Sequence, residues 1–140
     1  MSYPTLTAFA FAAALIATAA PAPAQDTGLE PQTKGAVTWV SGGIADDELQ
    51  EMRAVQGRYN LRLLFAVQGT GEYLADIPVR AVNAKGETVL DAVSRGPMLF
   101  AKMPAGTYKV TVSSEGRAQT RSIGVPASGA ASQSFYWPAE

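Results

Sequence analysis

The chain has 140 residues, 11 Lys and Arg against 12 Asp and Glu, a net charge of −1, and neither His nor Cys. That length is one domain's worth, and the near-neutral balance argues against a protein that neutralises phosphate, so no nucleic-acid partner is expected. Without imidazole or thiol there is no His- or Cys-based zinc site, no Cys nucleophile, no Ser-His-Asp triad and no disulfide. No catalytic residue, metal or cofactor is expected.

Residues 1–24 read as a signal peptide. The apolar run 8–20 would span about 20 Å as a helix, too short for a hydrocarbon core of about 30 Å but suited to a signal-peptide h-region. Ala22 and Ala24 supply the small-x-small pair for cleavage before Gln25. The n-region carries no Lys or Arg, and there is no cysteine to acylate. All charged side chains lie from Asp26 onward, so the remainder has an ordinary soluble composition. The expectation is an exported protein, periplasmic or secreted, with no stable membrane insertion once the leader is removed.

Residues 25–35 are polar and aperiodic and predict a flexible lead-in; a single domain is expected over 36–137. The run 36–40 is β-prone, with Val37 and Trp39 on one side. From 44 to 56 the period becomes helical: Ala45, Leu49 and Met52, with Val55 or Gln56, form one apolar stripe. Asp46, Asp47, Glu48 and Glu51 crowd its start and Arg53 and Arg58 its end, matching the helix dipole, with Gly57 as the residue that ends it. The acidic group reads as a solvated first turn, since a calcium loop needs a spacing this segment lacks.

After Gly57 the period is two. Tyr59, Leu61, Leu63, Phe65 and Val67 alternate with Asn60, Arg62, Leu64 and Ala66, which predicts a half-buried strand. Ile77, Val79 and Ala81 form the next strand face, and Pro78 within it predicts an edge position or a bulge. Asn83-Ala84-Lys85-Gly86 is turn chemistry joining it to 87–94 as a hairpin. A short strand follows at Met98–Lys102. Tyr108, Val110 and Val112 then alternate with Lys109, Thr111 and Ser113, and a turn at Ser114-Glu115-Gly116-Arg117 leads to a strand over 118–125. There Ile123 and Val125 share parity with Gln119 and Arg121, which predicts a bulge or a protruding hairpin tip. The last strand, 132–137, ends in Phe135-Tyr136-Trp137, with Phe135 and Trp137 on one face and Tyr136 on the other. The fold class expected is all-β: an antiparallel, Ig-like or prealbumin-like β-sandwich of six or seven strands with one short N-terminal α-helix.

Residues 96–112, GPMLFAKMPAGTYKVTV, carry a resemblance. They are similar to the G-x-F-x-F-x-x-L-P-x-G-x-Y-x-V-x-V run of carboxypeptidase regulatory-like domains and their prealbumin-like and collagen-adhesin B-type relatives, and the likeness extends over about 59–137. It implies the sandwich fold and an accessory, non-catalytic binding module of the cell envelope. Independently of the family, Pro104 and Gly106 turn the chain, and Tyr108 can bury its ring while its hydroxyl bonds to nearby backbone, as in a tyrosine corner. Relatives with chemistry do not fit. Transthyretin-like hydroxyisourate hydrolases use histidines and a terminal Tyr-Arg-Gly-Ser, both missing here. The isopeptide link of adhesin repeats would need an Asn or Asp in the last strand, which has neither.

Few other features carry chemistry. Gly42-Gly43-Ile44 before the helix reads as a strand-to-helix turn; as an anion site it would be opposed by Asp46 and Asp47. Gly69-Thr70-Gly71 lacks the Lys of a P-loop. Arg58, Arg62 and Arg80 on one outer face, and Arg117 and Arg121 with Lys109 on another, are candidate docking patches. Asp76 with Asp91 or Glu87 is a candidate carboxylate pair, which needs burial to do acid–base work. Tyr136 is a candidate contact for a carbohydrate, peptide or protein. The partner expected is a protein, peptide or glycan, with strand addition at an unpaired sheet edge as one mode of capture; the alternatives are a structural subunit of an envelope assembly and a small metal-independent hydrolase.

Overall fold

The computed structural model describes residues 29–139; the leader expected at 1–24 and the first part of the lead-in lie outside them. The fold is an all-β sandwich of two sheets with one short helix. Among the described residues nine strands form rather than six or seven. β1 (Gln32–Lys34) pairs antiparallel with β2 (Val37–Gly42) through a turn at Gly35, whose φ of 59° favours glycine. β1 falls in the expected flexible lead-in. All three of its residues are exposed, so it has no apolar face that a periodicity could reveal.

The helix α1 (Asp46–Val55) runs into a single 3-10 turn (Gln56–Arg58). Gly57 therefore lies inside that turn instead of ending the helix. Met52 is fully buried, and with Tyr59, Val40 and Phe100 it forms a small second core on the outer face of one sheet, flanked by Leu29, Val55 and Met98. Tyr59 thus serves the helix side, and β3 (Leu61–Val67) starts two residues later than the alternation suggested. Leu61, Leu63 and Phe65 of β3 face the main core between the sheets.

The remaining strands are β4 (Ile77–Val82), β5 (Thr88–Ser94), β6 (Met98–Lys102), β7 (Gly106–Ser114), β8 (Arg117–Val125) and β9 (Ala131–Trp137). One sheet has the order β1-β2-β6-β3-β9 and the other β5-β4-β7-β8. Every pair is antiparallel except β3 with β9, which are parallel in the register Phe65↔Phe135 and Val67↔Trp137. The parallel pair arises because the chain leaves β8 in one sheet and enters β9 in the other, alongside β3.

Pro78 corrects another expectation. β4 is a central strand, and its one register shift lies between Ala81 and Val82, away from the proline. The pairing with β7 begins only at Val79↔Val112, so Pro78 sits just outside that ladder. The β4–β5 turn behaves as read: the Asn83 side-chain oxygen accepts from the N–H groups of Lys85 and Glu87, both at 3.0 Å, and Gly86 takes φ 81°. The β7–β8 ladder is continuous from Gly106↔Val125 to Ser114↔Arg117, so β8 carries no bulge against β7. Ile123 and Val125 enter the core, whereas Arg117, Ala118 and Arg121 are exposed.

The 96–112 segment closes the sandwich at two places. Buried Ser94 donates its hydroxyl to the Gly96 carbonyl at 2.8 Å, holding the crossing from β5 to β6. The Tyr108 ring is buried, and its hydroxyl donates to the Pro104 carbonyl at 2.6 Å, the tyrosine-corner arrangement expected at that residue. Burial pushes the Tyr108 phenol up from its ordinary value.

Candidate functional site

A two-sheet sandwich has two open sides, and here they differ. On one, the outer strands β8 and β9 are tied by side chains reaching across the gap. Trp137 Nε1 donates to the Arg117 carbonyl at 2.9 Å, and Gln119 Nε2 donates to the Tyr136 carbonyl at 2.7 Å. Behind them the rings of Phe65, Phe135 and Trp137 pack with centroids 5.9 to 6.4 Å apart. The final Phe-Tyr-Trp run is thus explained: Phe135 and Trp137 are buried, and Tyr136 is 49% exposed on the other face. Bonding of this kind blunts two sheet edges at once.

The opposite side is tied at one end, where the Arg95 N–H donates to Ser41 Oγ at 3.1 Å. Beyond that bond β2 and β5 diverge around a solvent-open hollow of about 540 Å³. Trp39 and Ser41 of β2 form one wall, Asp91 and Val93 of β5 the other, and Glu30, Gln32, Asp76 and Arg95 stand at the rim. Among the described residues β5 has a ladder partner on one side only, β4. Alternate residues of such a strand turn N–H and C=O groups away from the sheet. The exposed side chain at this edge is apolar at Val93, 54% accessible, and charged at Asp91.

The carboxylates expected near each other are partly brought together. Asp76 and Asp91 line the same hollow; Glu87 lies at the far end of β5, beside the Asn83 turn. Asp91 accepts from Arg80 Nη2 at 3.4 Å, with both side chains well exposed, a surface pair of small energetic weight. Asp76 holds a left-handed backbone at φ 56°, unusual for a residue other than glycine, although Asp is among those that tolerate it. Neither carboxylate has the buried setting of an acid–base pair.

The arginine patches do not assemble as expected. Arg62 is on the outer face of the β3 sheet and Arg80 is paired with Asp91 on the other sheet, so the core separates them. The β7–β8 register puts Arg117 and Arg121 on one face of the hairpin and Lys109 on the other, because opposed residues share a face: Val110↔Arg121 but Lys109↔Ser122. The neighbour Arg62 does have is Arg53 of α1, across a shallow surface hollow.

Gly42 and Gly43 form the strand-to-helix turn, and the anion that the N–H groups of Gly43 and Ile44 face comes from within the chain. Glu48 Oε1 accepts from the Gly43 N–H at 2.7 Å, and a Cβ on Gly42 would come within 2.5 Å of the same oxygen. Glu48 therefore ties the turn back to the first turn of α1, whose N-cap residue Ala45 makes no side-chain bond. That function was hidden in the acidic group read as a solvated turn.

No protein-family model matches the chain, and no curated protein matches it. Among the described residues no group of three or more Asp and Glu side chains is placed to hold a metal ion, and no helix is long and apolar enough to cross a membrane.

Proposed function

We propose that the protein is an exported, non-catalytic binding module that takes an extended polypeptide segment along the free edge of β5. The observation that carries this reading is the asymmetry of the two sides of the sandwich. The β8–β9 side is bonded shut, and the β2–β5 side opens into a hollow beside a strand with one unpaired edge. Strand addition would satisfy the outward backbone groups of β5, giving affinity through main-chain bonds. Specificity would come from the side walls, where Trp39 offers an aromatic surface and Asp76 and Asp91 favour a basic or polar side chain. The likeness of residues 96–112 to carboxypeptidase regulatory-like modules supports an accessory role of this kind in the cell envelope.

The reading is tested by placing a photoreactive amino acid at Val93 in growing cells and, as control, at exposed Ile44 in the turn between β2 and α1. A discrete adduct with one polypeptide from Val93, absent from Ile44 and lost when Ala92→Pro blocks the edge, is the expected result. Equal or absent adducts at both positions contradict it.

A further inference from the structure

The helix α1 covers only part of the outer face of its sheet. It packs on Val40 of β2 and on Phe100 and Met98 of β6, leaving the outward residues of β3 and β9 as a shelf beside its last turn. The registers fix what lies there. Arg62 is paired with Phe100 on one side and Ser132 on the other, and Leu64 with Met98 and Ser134. These two rows, with Arg53 and Gln56 of the helix end above them, enclose a hollow of about 260 Å³.

Two features of this hollow lack an internal explanation. The Nε of Arg62 is buried and has no hydrogen-bond partner, although buried donors are nearly always paired and an orphaned charged one is costly. Arg53 lies close by, and among the described residues no carboxylate is within ion-pair distance of either guanidinium. Two cations over an apolar floor formed by Leu64, Met98 and Phe100 make an amphipathic receptor with positive charge at its rim.

We propose that this shelf binds an organic anion carrying a short apolar tail, its carboxylate or sulfate held by Arg53 and Arg62 and its tail laid over Leu64 and Met98. Both guanidiniums can donate forked, charge-assisted bonds to such a head group. The tail is required by the position of the site. The carbonyl end of α1 is a negative pole, which holds the guanidiniums in place but opposes a bare anion, so inorganic ions bind weakly and apolar contact supplies the rest. The serines of β9 add hydroxyl donors at the outer rim. This site is on a different face from the β5 edge and stands or falls independently of it.

The test is a titration of the ¹⁵N-labelled full chain with octyl sulfate and octanoate below their micellar range, and in parallel with octyl glucoside and sodium sulfate. Shift changes for both organic anions centred on Arg62, Leu64, Met98, Ser132 and Ser134 are expected, with the neutral glucoside and inorganic sulfate each at least about tenfold weaker. Arg53→Gln and Arg62→Gln should each weaken the anions by about tenfold or more. Arg53 is exposed, so its replacement leaves the fold intact and decides the matter should Arg62→Gln unfold the chain. Equal binding of octyl glucoside or of inorganic sulfate, shifts centred elsewhere, or unchanged affinity in Arg53→Gln would overturn the proposal. A carboxylate-only or sulfate-only response among the two organic anions narrows the head group and supports it.

Discussion

Asn60 grips the backbone N–H and C=O of Met103 with both ends of its carboxamide. Its Nδ2 donates to the Met103 carbonyl at 2.7 Å and its Oδ1 accepts from the Met103 N–H at 2.9 Å. Met103 follows β6, where the chain leaves one sheet for the other, and the side chain substitutes for the ladder that ends there. The Asn60 backbone works in the same place: its N–H donates to Ala101 and its carbonyl accepts from Ala131. One residue thus joins the start of β3 to the ends of β6 and the start of β9. Asn60→Ala is expected to cost about 2–4 kcal/mol, since two groups of a buried residue lose their partner. Asn60→Asp keeps only the acceptor and should be of similar severity. Urea denaturation at unchanged slope measures both; a loss below about 0.5 kcal/mol would show that the grip is incidental.

Gly96 lies against the backbone of Gly42, and a side chain there would drive its Cβ into the Gly42 carbonyl group. The contact joins the β5–β6 crossing to the end of β2, where no flexible atom can yield. Gly96→Ala should destabilise by about 2–4 kcal/mol through forced backbone movement. Gly57→Ala is the control, with open space around it, and should be neutral or slightly stabilising. Thermal melts of the two variants side by side check the contrast.

The Tyr108 hydroxyl bond to Pro104 makes a pH-dependent prediction. Burial raises the Tyr108 phenol, and Tyr59 is raised in the same way with Arg58 partly opposing. A tyrosine raised in the folded state binds its proton more tightly there than in the unfolded chain. Its contribution is therefore intact below the ordinary value near 10 and is lost as pH climbs through the higher folded value. Stability should be flat around neutrality and fall above about pH 10. Tyr108→Phe should lose about 1 kcal/mol at pH 7 and decline less steeply in alkali, retaining the Tyr59 part. Denaturation midpoints collected from pH 7 to 11 would reveal an unchanged slope if the assignment were wrong.

Glu48 offers a local test at the helix start. Glu48→Ala removes the acceptor for the Gly43 N–H and should cost about 1 kcal/mol. Asp46→Ala, exposed and without a cap bond, should cost less. Comparable losses for the two would mean that only the helix dipole is at work.

Much of this fold was legible because alternation and turn chemistry are local. Leu61 to Phe65, Tyr108 to Val112 and the Asn83 turn each specify their conformation within a few residues, and the Tyr108 corner followed from a proline, a glycine and a buried ring. What escaped notice depends on distant partners or on backbone alone. β1 is exposed and polar, so nothing marked it as a strand. Tyr59 fits the parity of β3 yet belongs to the helix-side core, a choice made by Met52 and Phe100. Asn60 looked like the polar face of a strand because its partner is far away in sequence. The candidate site was legible only as a principle, that an edge recruits a strand; which edge stays open depended on Trp137 and Gln119 closing the other side.

Amide hydrogen exchange of the free chain, read residue by residue, addresses that asymmetry most directly. Alternate amides of β5 should exchange at rates close to those of exposed loops, while the amides of β4 and β7, central strands with a ladder partner on both sides, stay protected. Uniform protection along β5, equal to that of β4, would mean that its edge is already occupied or covered, and the binding role assigned to it would be wrong.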